Sequence, residues 1–272
     1  MLKLRYNANT SVPVEVEGLT PTVAAGKSPS ELERFEIFHG NRKVPLAEFF
    51  SVSGDASDLK LEFEGDLSGV HWIGAQMTEG DIAIRGNAGR HVGSEMSAGT
   101  IHVYGNAGGW VGGEMHGGLI HVHGNAEHLV GAAYRGSAKG MTAGTILVDG
   151  SAGNEVGHTM RRGLIAVGGA CGDFVGFNMI AGTILVFGDC GNRPAASMRR
   201  GTVGLFGAVT PVLLNTFFKS SSGRPLILTM LFRELEAKGF KVPTECWSAT
   251  YQTFRGDHVT VGRGELVVRG AA

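Results

Sequence analysis

The sequence has little cysteine, little proline and almost no net charge. Three cysteines in 272 residues do not make a disulfide framework, and eight prolines beside 44 glycines do not indicate a disordered Pro/Gly-rich chain. A formal net charge of −1 does not indicate the general excess of basic residues that is typical of nucleic-acid-binding proteins. There is no run of about 18 apolar residues for a membrane helix and no secretory signal in residues 1–18. We therefore expect a soluble, cytoplasmic protein that binds neither nucleic acid nor membranes.

Sequence motifs of common active sites are also missing. The many glycines do not form a G-x-x-x-x-G-K-[ST] phosphate loop, because they recur periodically instead of once before a helix. The chain has no G-x-S-x-G nucleophile motif and no C-x-x-C pair. We expect no self-contained active site in this chain.

What the sequence does contain is a glycine-punctuated repeat. One glycine closes each short apolar segment, and the spacing of these glycines is 19 residues, except for one gap of 26 between Gly124 and Gly150. The column consists of Gly86, Gly105, Gly124, Gly150, Gly169, Gly188 and Gly207. A fixed period repeated this often is typical of a repeat architecture in which each unit stacks on its neighbours.

The apolar residues of each unit alternate, as in a strand with one buried face. In Ile101-His102-Val103 the outer two residues point one way and His102 the other. Equivalent residues form inward columns, and these are Ile82, Ile101, Ile120, Ile146, Ile165 and Ile184, and the methionines Met77, Met96, Met115, Met141, Met160, Met179 and Met198. The pattern predicts an all-β fold, a β-helix or solenoid of about 7–8 coils, with short helical elements in both flanks.

Two further columns predict lateral contacts between units. Asn87, Asn106 and Asn125 are expected to form an amide ladder, side chain to side chain. Cys171 and Cys190 replace alanine in an inward column. Adjacent coils would be close enough for a disulfide, but the reducing compartment favours buried free thiols.

The period divides the chain into three regions. Residues 1–58 are predicted to be an N-terminal cap that contains a short helix, which begins at the capping box Ser28–Glu31. Residues 59–209 form the solenoid, and residues 210–272 a C-terminal helix and hairpin. The helix is predicted over Pro225–Lys238, with two apolar stripes that imply broad burial, either at the end of the rod or on a partner protein. The hairpin is predicted within residues 258–270.

The gap of 26 residues is an insertion of seven residues within 132–140. Both flanking registers continue unchanged, so the insertion is predicted to be a surface loop on one face. Tyr134, Arg135 and Lys139 are its candidate partner-docking residues.

Two arginine pairs interrupt a corner that otherwise carries almost no charge. Arg161 and Arg162 lie two units before Arg199 and Arg200, so the pairs are expected to share a face about 10 Å apart. Four guanidinium groups on one face suit the carboxylates of an acidic partner or a polyanionic ligand. A solvated basic face is the alternative.

Two histidines, His102 and His121, are one unit apart in an outward column, with His123 beside them. Stacked histidines can bind a metal ion. In the sequence, no cysteine or carboxylate cluster completes such a site, so we predict exposed or partner-facing polar residues and no metal.

The repeat resembles a known family. Residues 85–126, RGNAGRHVGSEMSAGTIHVYGNAGGWVGGEMHGGLIHVHGNA, are similar to the GXGXG domain shared by glutamate synthase and the C subunit of formylmethanofuran dehydrogenase. Residues 25–55 and the insertion segment 134–157 resemble the family of these C subunits, and the resemblance covers about residues 20–208. The C-terminal stretch 216–239 looks more like the bacterial version, in the formyltransferase/hydrolase complex of methylotrophs.

That resemblance implies a non-catalytic scaffold in a complex of formaldehyde oxidation. The complex moves formyl from formyl-tetrahydromethanopterin to a methanofuran-type carrier and releases formate. The resemblance implies as partners a formyltransferase subunit, a metal-dependent amidohydrolase-like subunit and a further dehydrogenase-like subunit. The carrier and the metal would lie in these partners, with no cofactor in this chain. The carrier's polyglutamate chain could bind the face formed by Arg161, Arg162, Arg199 and Arg200.

Two alternatives remain open. The chain could be the C subunit of a molybdenum or tungsten formylmethanofuran dehydrogenase of the methanogenesis type. Iron–sulfur clusters would then lie in partner proteins, since this chain lacks the cysteines to ligate them. An independent enzyme or binding module would instead be a monomer with its own ligand.

Overall fold

The computed structural model describes residues 1–270, and it is mostly β. The N-terminal region contains β1 (Leu2–Tyr6), β2 (Val14–Glu15), α1 (Pro21–Ala24), α2 (Pro29–Glu33), β3 (Glu36–His39), β4 (Arg42–Pro45), a 3-10 turn (Leu46–Glu48) and β5 (Phe50–Gly54). Both hydrogen bonds of the predicted capping box are present at the start of α2. The prediction of a mostly β chain with short flanking helices is confirmed.

The repeat region supplies one principal strand per unit. These strands, together with the short β7, are β6 (Lys60–Glu64), β7 (Val70–His71), β8 (Asp81–Arg85), β9 (Thr100–Val103), β10 (Leu119–Val122), β11 (Thr145–Val148), β12 (Leu164–Val167), β13 (Thr183–Val186) and β14 (Arg200–Leu205). From β8 to β13 neighbouring strands pair in parallel with the isoleucines of the predicted column opposite each other. The insertion leaves this register intact, because Ile120 pairs with Ile146.

The C-terminal region returns to the same sheet. It contains β15 (Phe218–Gly223), α3 (Leu226–Ala237), α4 (Thr244–Ser248), β16 (Tyr251–Gly256) and β17 (Arg263–Arg269). The 13-stranded sheet has the order β15-β16-β17-β14-β13-β12-β11-β10-β9-β8-β6-β1-β5, and a four-stranded sheet has the order β4-β3-β2-β7. The predicted hairpin is placed too late in the chain: β16 precedes residues 258–270, and β17 also pairs in parallel with β14.

The core lies behind the principal strands. All seven methionines of the predicted column are fully buried, and each such side chain contributes about 1.5–3 kcal/mol by leaving water. The glycine that ends the next unit makes room for the methionine: a Cβ on Gly118 would lie 2.6 Å from Met96 Cε. Gly118 also has φ +86°, a conformation that glycine adopts without steric cost.

A second ladder runs beside the principal strands. Single-residue parallel bridges run through the predicted alanine/cysteine column, which consists of Ala88, Ala107, Ala126, Ala152, Cys171 and Cys190. One further bridge joins Leu67 to Ala88. Both cysteines are free thiols. The asparagine ladder exists, but its predicted partners are wrong: the backbone N–H of Asn125 donates to Asn106 Oδ1 at 2.8 Å, because each side chain caps the backbone of the next unit.

The C-terminal helix α3 covers the outward face of the later strands. Leu228, Phe232 and Leu235 are buried against a cluster that includes the outward residues Leu147 and Leu185. The expectation of broad burial is wrong, since Leu226, Ile227 and Met230 are 74%, 51% and 60% exposed. In residues 1–270, none of the helices is long and apolar enough to cross a membrane.

Candidate docking surface and imidazole cluster

Backbone hydrogen bonds fix the first arginine pair at a corner between units. The N–H of Arg161 donates to the carbonyl of Met141 at 2.8 Å, and Arg162 donates to the same oxygen at 3.3 Å. Met160 before them is fully buried, and Gly163 after them has φ +106°. The corner therefore holds the backbone while Arg162 projects into solvent and Arg161 is half-buried.

The second pair occupies the equivalent corner two units later. Arg199 donates its backbone N–H to Met179 at 2.8 Å, and Arg200 is the first residue of β14. Both side chains are exposed. Within residues 1–270, neither pair has a carboxylate within ion-pair distance. The two pairs thus form a basic corner without intramolecular neutralisation.

The basic corner extends to Arg263, a residue that the repeat pattern does not reveal. Arg263 pairs in register with Arg200, on the neighbouring strand β17, and its side chain is exposed. No repeat signal could point to it, because β17 follows β14 only after a long non-repeat excursion.

The insertion loop is fixed at its start by Tyr134. The Tyr134 hydroxyl donates to Ser94 Oγ at 2.7 Å and lies 3.0 Å from His91 Nδ1. Burial raises the pKa of Tyr134 to about 12, so the phenol stays neutral. Of the three predicted docking residues, Arg135 and Lys139 are exposed, whereas Tyr134 is half-buried.

Beneath the loop, His91 lies between two tryptophans. Its ring stacks on Trp72 with a centroid distance of 4.1 Å and on Trp110 at 5.4 Å. Burial, and then the positive charges of Arg90 and His71, lower the pKa of His91 to about 4. The ring is therefore neutral at physiological pH and acts as a packing element.

The structure brings together the three histidines of the outward column, His102, His121 and His123, which we call the imidazole cluster. One ligand nitrogen of each ring lies within 4.8 Å of the others. A carboxylate adjoins the three rings: Asp149 Oδ1 lies 2.9 Å from His121 Nε2, and Oδ2 lies 2.9 Å from His123 Nδ1. Burial by itself would raise the pKa of Asp149, but the hydrogen bonds to His121 and His123 together outweigh it, so the pKa is lowered.

This geometry defines a class of protein: a mostly β repeat protein whose parallel strands pair in register. Its basic corner has no carboxylate within ion-pair distance among the described residues. The chain belongs to the family of formylmethanofuran dehydrogenase C subunits. A crystal structure of the formyltransferase/hydrolase complex from Methylorubrum extorquens with methylofuran contains a chain 30% identical to this one. The two chains superpose with a TM-score of 0.88, over 98% of this chain and 99% of that one.

Curated relatives match over a shorter stretch. The C subunit of the tungsten-containing formylmethanofuran dehydrogenase 2 of Methanothermobacter wolfeii is 41% identical over 85 residues, which are 30% of this chain and 32% of that protein. The C subunit of the molybdenum-containing formylmethanofuran dehydrogenase 1 of Methanosarcina barkeri is 39% identical over 85 residues, 30% of this chain and 28% of that protein. The matched stretch thus spans about a third of these relatives' length. No protein-family model matches the sequence.

Proposed function

We propose that this chain is a non-catalytic scaffold subunit of a cytoplasmic C1-transfer complex. The complex would move formyl from formyl-tetrahydromethanopterin to a methanofuran-type carrier and release formate. The observation that carries this proposal is the similarity over nearly the whole chain to a chain of the formyltransferase/hydrolase complex. The formyltransferase, the amidohydrolase-like subunit and the dehydrogenase-like subunit would bind to it, and the metal and carrier would lie in them.

We infer that residues 59–209 form a β-solenoid, which would make the scaffold rigid. Two features support this inference: the principal strands pair in register from one unit to the next, and the bridges between alanines and cysteines repeat once per unit. Stacked units that each contact only their neighbours make an extended surface on which partners can bind side by side.

The basic corner is the surface we propose for an acidic partner or for the polyglutamate chain of the carrier. Its arginines have no carboxylate partner among the described residues, and a planar guanidinium binds a carboxylate through two parallel hydrogen bonds. A row of carboxylates would match these arginines along one edge of the sheet: Arg162 lies two units before Arg200, and Arg263 pairs with Arg200 on the neighbouring strand β17.

Purification of the tagged chain from its source organism tests the scaffold proposal. We expect the three partner proteins to co-purify, with formyltransferase and hydrolase activity in the complex and none in the chain alone. The partial similarity to tungsten and molybdenum enzymes supports a second candidate, a redox-active dehydrogenase. Co-purifying tungsten or molybdenum and iron–sulfur clusters would establish that alternative, and a monomer without partners would refute both.

A quadruple variant tests the basic corner. Replacing Arg161, Arg162, Arg199 and Arg200 with alanine should reduce partner retention or carrier content of the purified complex. The matched control replaces four other exposed cations that lack ion pairs in the described chain, namely Lys27, Arg34, Arg233 and Lys241. Unchanged assembly and carrier content in the corner variant would refute the role of this surface.

A further inference from the structure

The imidazole cluster occupies a rigid part of the sheet. His102 and His121 are paired in register on β9 and β10, and His123 follows β10 by one residue. The residues on either side of His121 in the strand, Ile120 and Val122, are fully buried in the core. The backbone positions of the imidazoles are therefore set by the core packing and by the strand pairing.

The spacing of the nitrogens fits a single metal ion. His102 Nδ1 and His123 Nε2 lie 3.2 Å apart. Two nitrogen ligands at about 2.0–2.1 Å from a tetrahedral ion lie about 3.3–3.4 Å from each other. A nitrogen of His121 lies within 4.8 Å of one nitrogen of each of the other two rings, so each of the three rings offers one nitrogen near the same point.

Asp149 supplies the carboxylate that orients the imidazole ligands of such a site. Each of its two carboxylate oxygens accepts a hydrogen bond of 2.9 Å from one ring, Oδ1 from His121 and Oδ2 from His123. With the Nδ1–H of His123 held by the carboxylate, the lone pair of Nε2 points toward His102. Histidines that bind metal ions in proteins are commonly oriented by a carboxylate in this way.

We propose that the imidazole cluster binds a divalent transition-metal ion of the zinc class. Imidazole nitrogens suit Zn²⁺, Co²⁺, Ni²⁺ and Cu²⁺, whereas Mg²⁺ and Ca²⁺ prefer oxygen ligands. His102 donates from Nδ1 in the metal-free network and shifts this proton to Nε2 when the ion binds. Asp149 stays outside the coordination shell and orients two of the rings.

The surroundings leave the site open to an ion from solvent. His121 is 2% exposed, whereas His123 is 30% exposed. A neighbouring cation is Arg85, whose guanidinium lies 4.3 Å from the Tyr104 ring centroid, and its charge is paired with Glu62 at 2.9 Å. Repulsion of an incoming divalent ion by Arg85 is therefore reduced.

Metal binding by the full-length chain tests this proposal. The chain is purified with a tag that contains no histidine and is stripped with a chelator. Co²⁺ binding is then followed by absorption and Zn²⁺ binding by calorimetry. We expect one ion per chain, the absorption of tetrahedral Co²⁺, and no heat on addition of Mg²⁺. Absence of stoichiometric Co²⁺ and Zn²⁺ binding, or equal binding of Mg²⁺, would overturn the proposal.

Variants locate the ion. A double variant His102→Gln/His123→Gln should lose binding, and Asp149→Asn should weaken it by about 10–100-fold, as removal of orienting carboxylates does elsewhere. The matched control is His116→Gln/His258→Gln, which removes two exposed histidines outside the cluster and should bind as the original chain does. Circular dichroism verifies that all variants are folded. Retained affinity in a folded His102→Gln/His123→Gln variant refutes the site.

Discussion

Replacing His91 with phenylalanine should flatten the dependence of this protein's stability on pH. Burial lowers the pKa of His91 to about 4 in the folded chain, whereas an unfolded histidine titrates near 6.5. Below pH 6.5 the unfolded chain therefore takes up a proton that the folded chain does not accept until about pH 4. The stability contribution is complete above pH 6.5 and is lost as the pH falls toward 4.

The size of this effect follows from the two pKa values. Between pH 7.5 and pH 5, a histidine with these pKa values removes about 2 kcal/mol from the free energy of unfolding. The His91 ring is not fully buried, so solvent screening reduces the expected loss to between about 1 and 2 kcal/mol. The phenylalanine variant keeps an aromatic ring between Trp72 and Trp110 but has no proton to bind.

Urea unfolding at pH 7.5, 6 and 5 measures the difference directly. Carboxylates titrate in both proteins, so the informative quantity is the free energy of unfolding of the original chain minus that of His91→Phe. This difference should become more negative by about 1–2 kcal/mol as the pH falls from 7.5 to 5, because only the original chain loses the His91 contribution. A Tyr134→Phe variant should keep the original slope, because burial and not the hydroxyl is the main cause of the shift. If the free energies of unfolding of the original chain and of His91→Phe change with pH in parallel, the reasoning is refuted.

Two further substitutions test the packing. Gly118→Ala should destabilise the chain more than Gly136→Ala. Both glycines have positive φ, but a Cβ on Gly118 would lie 2.6 Å from Met96 Cε, whereas a Cβ on Gly136 would meet open space. Equal thermal denaturation midpoints for the two variants would contradict this. Phe232→Ala should cost about 3–5 kcal/mol in the free energy of unfolding, since the ring is buried between α3 and the sheet. Met230→Ala, on the exposed side of α3, is the control and should change stability by less than about 0.5 kcal/mol.

The core columns could be predicted from the sequence because the repeat fixes which residues are neighbours. Once Ile101 and Ile120 are known to be one unit apart, pairing in register follows from the strand spacing. The same reasoning extends across the gap of 26 residues, because the register continues there and Asp149 follows the Val122–Val148 pair beside His123. It fails for Arg263, which pairs with Arg200 only after β15, α3, α4 and β16 have returned the chain to the sheet.

The position of α3 could have been predicted from one signal in the repeat. The outward residue is His102 in β9 and His121 in β10, but in the later strands it is Leu147, Ala166 and Leu185. An apolar outward column requires a cover, and α3 provides it through Leu228, Phe232 and Leu235. The hydrogen-bond donor in the asparagine ladder could not be predicted in this way. A side-chain amide oxygen can accept from a side-chain N–H or from a backbone N–H, and the sequence pattern does not distinguish the two.

The change in this outward column explains why the imidazole cluster lies where it does. His121 pairs in register with Leu147, so the last polar outward residue adjoins the first residue of the helix-covered surface. Leu119 and Leu147 both contact the apolar cluster under α3, and His121 is consequently 2% exposed although it faces outward. A buried imidazole needs a hydrogen-bond partner, and Asp149 provides one from the following unit. His121 thus lies at the boundary between the polar and the covered halves of the sheet, where it needs Asp149 as a partner. Because Asp149 also binds His123, and His102 pairs in register with His121, the three histidines lie together.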